Sequence, residues 1–319
     1  MTRHGILNID KPAGWTSHDV VGKVRRLLGQ KSVGHAGTLD PLATGVLLVC
    51  VGQATRLSEY LMAGQKVYRA EVQLGIETDT YDVEGETLAT APVPAFTAGQ
   101  ITAALAQFVG DIEQAPPAYS ALKQDGVPAY RRARRGESVA LSPRRVTITD
   151  ITLLAWEAPH VVIDVTCDPG TYIRSLAHDL GQALGCAAAL AGLRRLRSGG
   201  FRVEDAVTLE ELAATVKAGG DLRPLHPMTA ALSALLPVTI DAALAVRLGH
   251  GQPIPCAAPP ALTEAYALTP DGDLVAILTY READGQWVDA SVNPQTATKL
   301  EDAILTRARE LRLSSQTKD

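Results

Sequence analysis

Residues 34–47 read Gly-His-Ala-Gly-Thr-Leu-Asp-Pro-Leu-Ala-Thr-Gly-Val-Leu. Three glycines and a proline surround one carboxylate, Asp40. No helix or strand would choose this composition. Gly34, Gly37 and Gly45 permit positive φ or close approach of a ligand, and Pro41 fixes φ just after the acid. The apolar run 46–51 that follows suits a buried strand, so the loop is pinned against the core. A lone carboxylate on such a loop can act as a base or a nucleophile. The same residues also fit a surface turn whose acid bonds its own backbone, and this stretch alone leaves both readings open.

A second cluster lies at residues 126–136, Gly-Val-Pro-Ala-Tyr-Arg-Arg-Ala-Arg-Arg-Gly. Arg131, Arg132, Arg134 and Arg135 fall within five residues with no acid among them. Without an anionic partner they would repel one another, which points to a mobile RNA-binding element. Residues 76–90 gather Asp79, Asp82 and Glu84 but no His or Cys, so a solvated hairpin is expected there rather than a metal site.

The overall net charge of −5 looks wrong for a nucleic-acid binder. Residues 203–319 carry 16 acids and 9 bases, whereas 1–202 carry 19 acids and 21 bases. Residues 123–145 hold seven bases against two acids, and Arg194, Arg195, Arg197 and Arg202 add four bases with no acid between them. The mean therefore hides two basic patches, which is what a phosphate backbone responds to. Four widely spaced cysteines, with no Cys-x-x-Cys pair, argue against a zinc site or a disulfide framework and fit a reducing compartment. Asn8, Asp10 and Lys11 interrupt any leader, and no apolar run approaches the ~20 residues that span a membrane. A cytoplasmic protein is expected.

The elements that must position these residues follow from periodicity. Residues 5–9 read as a strand, and Thr16 or Ser17 caps a helix that Gly29 stops. Residues 55–62 read as a short helix. Residues 66–75 alternate, with Tyr68, Ala70, Val72 and Leu74 on one face, so Tyr68 reads as a core aromatic. Residues 101–109 form a helix, and 146–156 and 161–167 form adjacent strands. Residues 172–184 form a helix closed by Gly185, with Arg174 off its apolar face as an ordinary exposed arginine. Residues 186–196 read as further helix, and Thr208 to Glu211 is a capping box opening a helix to Lys217. Composition shifts near Pro237. Beyond it, turns at 270–272 and 284–285 separate short strands of a small β domain, and 299–312 read as an amphipathic helix.

The motifs together resemble the bacterial tRNA pseudouridine-55 synthases, the TruB family. Residues 34–45 look like that family's catalytic-loop signature, and 11–17 (Lys-Pro-Ala-Gly-Trp-Thr-Ser) like its first motif. Residues 66–69 (Lys-Val-Tyr-Arg) resemble its strand motif, and 116–123 (Pro-Pro-Ala-Tyr-Ser-Ala-Leu-Lys) the run before its thumb loop. Residues 170–174 (Gly-Thr-Tyr-Ile-Arg) with 193–196 (Leu-Arg-Arg-Leu) resemble its arginine motif. All stand in the family order across roughly residues 5–215.

The resemblance implies an α/β (α+β) catalytic domain, with a mixed, largely antiparallel sheet and a central cleft, over residues 1–237. It implies a thumb loop at about 123–145, a PUA-like RNA-binding β domain at 238–294 and a helical tail at 295–319. It makes Asp40 the nucleophile or base, Arg174 its partner and Tyr68 the aromatic that packs on the target base, which overrides the core reading. His35 enters the RNA fold where the uridine leaves, and Tyr172 and Leu193 line the uridine pocket. Lys11 and the thumb arginines 131, 132, 134 and 135 join the RNA-binding set. The partner implied is the tRNA T-arm, with no protein partner, and a monomer is the default.

Isomerising uridine exchanges a C–N bond for a C–C bond without redox change, so no metal, nucleotide or flavin is expected. A buried Asp40 would have a raised pKa, and an arginine within reach would lower it again and could grip the carboxylate bidentately. The residues do not distinguish attack at C1′, attack at C6, or a glycal route through C2′. Two rivals compete. A hydrolase needs a second carboxylate across the bond, and the loop supplies none. A non-catalytic RNA-binding protein would use only the arginine segment and the β domain.

Overall fold

Alternating residues bury one side of a strand, and packing two helix layers on that side of a sheet leaves a seam between them. A computed structural model describes residues 3–120, 122–124, 127–133, 135, 137, 141–219, 224–255 and 263–289. It divides into two units, Met1–Pro227 and Met228–Asp319. In the first, β1 (Gly5–Lys11), α1 (Ser17–Leu28), β2 (Val33–Ala36), β3 (Thr44–Val51), α2 (Ser58–Ala63) and β4 (Lys66–Leu74) come in turn. A hairpin of β5 (Ile76–Thr78) and β6 (Thr87–Thr90), α3 (Ala98–Ala106) and β7 (Gly110–Gln114) follow. After them run β8 (Lys123–Gln124), β9 (Val127–Pro128), α4 (Ala129–Ala133), β10 (Arg144–Glu157) and β11 (His160–Cys167). The unit closes with α5 (Ile173–Leu184), β12 (Ala188–Ser198), β13 (Phe201–Arg202), α6 (Leu209–Lys217) and β14 (Leu225–His226).

The main sheet runs β14-β1-β3-β12-β4-β11-β10-β7, with β13 on β12 and β2 on β3. Every pairing in it is antiparallel except β12 with β3, the mixed, largely antiparallel sheet expected. Ala70, Val72 and Leu74 of β4 meet Ile173, Leu176, Ala177 and Leu180 of α5 and Ile101 and Leu105 of α3 in one core. Leu7, Ile9, Leu47 and Val49 meet Val20, Val21 and Val24 of α1 and Leu209 and Leu212 of α6 in another. Tyr68 and Leu193 pack against both cores, so they stand at the seam.

Several expectations need correction. Of residues 186–196, read as helix, 188–196 are strand. β12 pairs with β4 from Ala188↔Leu74 to Ser198↔Lys66 and with β3 at Arg194↔Thr44, so sheet pairing on both sides overrides the helical propensity of Ala and Leu. Gly34 and His35 belong to strand β2, which pairs with β3. The stretch 55–62 splits into a 3₁₀ turn (Gly52–Leu57) and α2. Thr16, Thr97 and Thr208 each complete a capping box, with Asp19, Gln100 and Glu211, opening α1, α3 and α6.

In the second unit, β15 (Leu236–Thr239), α7 (Ala242–Gly249), β16 (Ile254–Pro255), β17 (Glu264–Leu268), β18 (Leu274–Arg281) and β19 (Gln286–Asp289) build a sheet ordered β15-β17-β18-β19-β16. Its core is Ile240, Leu248, Ile254, Ala265, Ala267, Ala276, Leu278 and Trp287. Pro237 lies inside strand β15, paired with Tyr266, so the composition shift falls past the division rather than on it. The helix expected over 299–312 lies outside the described residues, as does Cys256.

Candidate active site

The loop carrying Asp40 is tied down from two sides. From one side, Ser17 at the head of α1 exchanges hydrogen bonds with Leu39: its Oγ accepts from the Leu39 amide (2.9 Å) and donates to the Leu39 carbonyl (3.1 Å). The Gly14 amide donates to the Pro41 carbonyl at 2.9 Å. Lys11, wholly buried, donates from Nζ to the carbonyls of Trp15 (2.6 Å), Pro12 (3.0 Å) and Pro41 (3.3 Å). Burial pushes its pKa down from 10.5 to about 8, while the charge of Asp40 pulls the other way. With its three N–H groups so engaged, Lys11 presents nothing to RNA, contrary to the expectation; it holds residues 12–15 against the Asp40 loop.

From the other side comes Arg195, 1% exposed. Its Nε donates to the Val46 carbonyl (2.7 Å) and Nη2 to the Gly37 carbonyl (2.9 Å), while Nη1 makes a long contact to Tyr68 Oη (3.5 Å). Gly45, at φ 94°, makes room for it: a Cβ there would stand 2.3 Å from the Arg195 carbonyl oxygen. The sequence reading placed Arg195 in a surface patch. In a strand, however, successive side chains face opposite ways. Arg194 therefore points outward to a bidentate pair with Asp10 (2.8 and 3.1 Å), and Arg195 points in. Arg197 donates to Gln65 and Arg202 to Glu204, so these arginines also have protein partners.

Across the seam stands Arg174, in the first turn of α5 and 5% exposed rather than on the surface. Its Nε lies 3.0 Å from Asp40 Oδ2, with the Asp40 side chain 42% exposed. The oxygen sits off the N–H axis, so this is an ion pair and not a linear hydrogen bond. The expected bidentate grip is absent because the other nitrogens are engaged: Nη1 donates to the Thr80 carbonyl (3.0 Å) and Nη2 to the Tyr119 carbonyl (2.9 Å). A second carboxylate, Asp82 Oδ2, lies 3.7 Å from Nη1. Asp82 is buried, although its hairpin reads as solvated, and it is the residue the sequence reading missed. Its signal was weak: an acid between Tyr81 and Val83, 92 residues from its partner.

Tyr68 is half-buried and, like Leu193, packs against both cores, with the Arg195 guanidinium 6.0 Å from its ring centroid. Burial raises the Tyr68 pKa, so the phenol is neutral at ordinary pH. His35 on β2 meets His18 of α1 edge to face, with ring centroids 5.4 Å apart. Burial, then the neighbouring His18 and Arg195, lower its pKa, which favours the neutral, stackable ring. Tyr172 caps α5; its backbone and the Gln114 side chain exchange hydrogen bonds of 2.8 and 3.1 Å, and the Arg144 guanidinium lies 5.1 Å from its ring centroid. The 114–119 run is thus laid along the start of α5, with Ser175 Oγ donating to the Ala115 carbonyl at 2.7 Å.

The structure brings Asp40, Arg174 and Asp82 together, with Tyr68 and Leu193 at the seam, and leaves the thumb arginines elsewhere. Arg131 and Arg132 lie on α4, and Arg132 pairs with Glu137 at 2.7 Å, with Arg135 3.9 Å from the same carboxylate. Glu137 thus supplies the counter-charge that the cluster lacks over residues 131–135. Arg134 lies outside the described residues.

Comparison with known proteins places the chain in a family. The family model described as TruB family pseudouridylate synthase (N terminal domain) matches residues 25–173. That of the tRNA pseudouridylate synthase B C-terminal domain matches 174–236. A domain of unknown function matches 264–313. A tRNA pseudouridine synthase B of Syntrophotalea carbinolica is 54% identical over 66% of this chain and 68% of its own length. One from Xanthomonas campestris pv. campestris (strain 8004) is 45% identical over 89% of this chain and 92% of its own. Among solved structures, a Cbf5-Nop10-Gar1 complex matches with TM-score 0.69 and 28% identity, covering 89% of this chain and 83% of that one. An H/ACA RNP bound to a substrate RNA containing 2'-deoxyuridine matches with TM-score 0.68 and 27% identity, over the same shares. The chain belongs to the TruB family of pseudouridylate synthases.

Proposed function

We propose that this enzyme converts uridine to pseudouridine in the T-loop of tRNA, at position 55, with Asp40 as nucleophile or base. The observation that carries the reading is the ion pair between Asp40 and the buried Arg174 at the seam of the two cores. The relatives' printed name, tRNA pseudouridine synthase B, supports tRNA as the substrate.

The target base sits inside folded RNA, so it must be flipped out at a cost of a few kcal/mol. His35, kept neutral, stacks in the space the base leaves, and Tyr68 stacks on the extruded base. Each such contact contributes about 1–3 kcal/mol and so offsets the flip. Tyr172 and Leu193 close the pocket. Arg174 holds Asp40 aimed, and RNA docking covers the part of the Asp40 carboxylate now open to solvent. No electron changes hands, so the chain's own side chains suffice. The remaining parts of the proposal are a monomer, a cytoplasmic location, an RNA-binding thumb and a PUA-like second unit. Among the described residues no helix is long and apolar enough to cross a membrane.

The test is pseudouridine formation in unmodified T-arm RNA, with wild type and Asp40→Asn side by side and no cofactor added. Product from wild type, with a loss of about 10³-fold or more in Asp40→Asn and RNA binding retained, is expected. Product from both would remove Asp40 from its role. Binding without product from either would leave a non-catalytic RNA-binding protein.

A further inference from the structure

Between the two residues of the hairpin that meet Arg174, Thr80 and Asp82, stands Tyr81 in a left-handed backbone conformation, φ 62°. Among the described residues it and Ala187 are the non-glycine positions with positive φ. A bulky aromatic there is an outlier, and such conformations persist only where the surroundings over-determine them.

The surroundings are specific. The Leu190 amide of β12 donates to the Tyr81 carbonyl (2.9 Å), and the Val83 amide donates to the Leu190 carbonyl (3.0 Å). Within the loop, Thr78 Oγ donates to the Asp82 carbonyl (2.6 Å), and Thr80 Oγ (2.8 Å) and the Glu84 amide (3.1 Å) donate to Asp82 Oδ1. That leaves Oδ2 toward Arg174. These bonds fix the chain on either side of residue 81. The side chain of 81 is fixed by a ring: Tyr81 stacks on His178 with centroids 4.0 Å apart and planes 13° from parallel. His178 lies four residues after Arg174, one turn along the same face of α5. Its Nδ1 is 3.8 Å from Glu77 Oε1, at the start of the hairpin.

One helix face therefore carries both the arginine that meets Asp40 and the ring that clamps the arginine's own support. Rotation about φ of residue 81 swings the Thr80 carbonyl relative to the Asp82 carboxylate, and both must face the guanidinium at once. We infer that the Tyr81–His178 stack is a positioning device for the reaction: it locks the hairpin in the left-handed turn that sets Arg174 against Asp40. Neither ring touches the reacting atoms, so both act through Arg174. The inference rests on the reading of Asp40 and Arg174 as the working pair.

The experiment measures single-turnover pseudouridine formation at saturating T-arm RNA, the dissociation constant for that RNA, and thermal midpoints. The variants are Tyr81→Phe, Tyr81→Gly, Tyr81→Ala, His178→Ala and the Tyr81→Ala/His178→Ala double. Phe keeps the ring and stays near wild type. Gly loses the ring but tolerates positive φ, whereas Ala loses the ring and resists it, so rates fall in the order Phe, Gly, Ala. Tyr81→Ala and His178→Ala each lose about tenfold or more in rate, as sub-ångström misplacement does, with RNA affinity within about twofold of wild type. The double variant loses little more than either single, because both remove one stack. Wild-type rates in folded Tyr81→Ala and His178→Ala would overturn the inference, as would affinity falling in step with rate, or Gly no better than Ala. Should Tyr81→Ala not fold, Tyr81→Gly and His178→Ala carry the same decision. A wild type that forms no pseudouridine would instead overturn the underlying reading.

Discussion

Two groups of arginines in this chain are alike in sequence and opposite in use. Arg174 and Arg195 lie in the floor of the site, buried, donating to the carbonyls of Thr80, Tyr119, Gly37 and Val46. Arg131 and Arg132 lie on α4 and Arg135 just after it, with Glu137 as the partner of Arg132 and Arg135. In the floor, the guanidinium fork is structural: it satisfies backbone acceptors that burial would otherwise leave bare. In the second group, the guanidinium charge is set against a carboxylate that is itself exposed. What separates the two is the acceptor each guanidinium reaches, and local sequence does not show it.

The largest effect expected is on Arg195. Arg195→Met keeps the length of the side chain but strips the Gly37 and Val46 carbonyls of their donors. Each unsatisfied buried acceptor costs about 1–3 kcal/mol, so a loss of roughly 2–6 kcal/mol is expected. Urea denaturation measures it, and activity should fall with it, since the Asp40 loop hangs between those two carbonyls. Replacing the thumb arginines should change stability by less than about 0.5 kcal/mol. Equal losses in the two regions would end the distinction between them.

The reason Arg195 was illegible is instructive. Residues 186–196 are rich in Ala and Leu and favour helix locally, and only pairing with β3 and β4 makes 188–196 strand. Once the period is two instead of 3.6, Arg194 and Arg195 must diverge, one to Asp10 and one inward. Lys66 is another buried cation: it shares a face with Tyr68, its ammonium on the carbonyls of Met62 and Gly64. Asp82 was hidden because its partner is 92 residues away, across the hairpin. By contrast, elements whose signals are local were legible. The capping box at Thr208, the glycine stops at Gly29 and Gly185 and the alternation of β4 all appear where the residues predicted them. The Asp40 loop was legible in part: residues 37–43 form no regular element, whereas Gly34 lies in β2 and Gly45 in β3, where strand pairing overrides the local signal. Its partner Arg174 was legible only through the motif it shares with a family, since as a lone helical arginine it reads as solvent-facing.

A smaller effect is expected in the thumb. Changing Arg131, Arg132, Arg134 and Arg135 together to Gln should weaken T-arm RNA binding and flatten its salt dependence. Each phosphate contact contributes about 0.7–0.9 to the slope of log K against log salt. Glu137 competes for Arg132, so a fall in slope of roughly 2–3 is expected, with the single-turnover rate at saturating RNA little changed. Affinity and slope equal to wild type would remove the thumb from the RNA interface.

The smallest effect sharpens the comparison, because it concerns a buried cation of the Arg195 kind that can titrate. Lys11 also spends its donors on carbonyls, but burial lowers its pKa from 10.5 to about 8. A base whose folded pKa lies below its unfolded value binds fewer protons in the folded state between those two limits. Stability therefore rises with pH across that window, from about 8 to 10.5. Buried Cys50 and Cys167, raised to about 11, act in the opposite sense in a similar range, so the wild-type curve alone mixes the effects. The difference between wild type and Lys11→Met isolates the lysine. Lys11→Met should be destabilised at pH 7, and the gap should widen above about pH 8 by at most roughly 1.4 kcal/mol per pH unit. Arg195→Met, whose lost guanidinium never deprotonates, should show a gap that stays flat over the same range. Parallel curves for the two variants would mean that Lys11 keeps an ordinary pKa and that its burial costs the charge little.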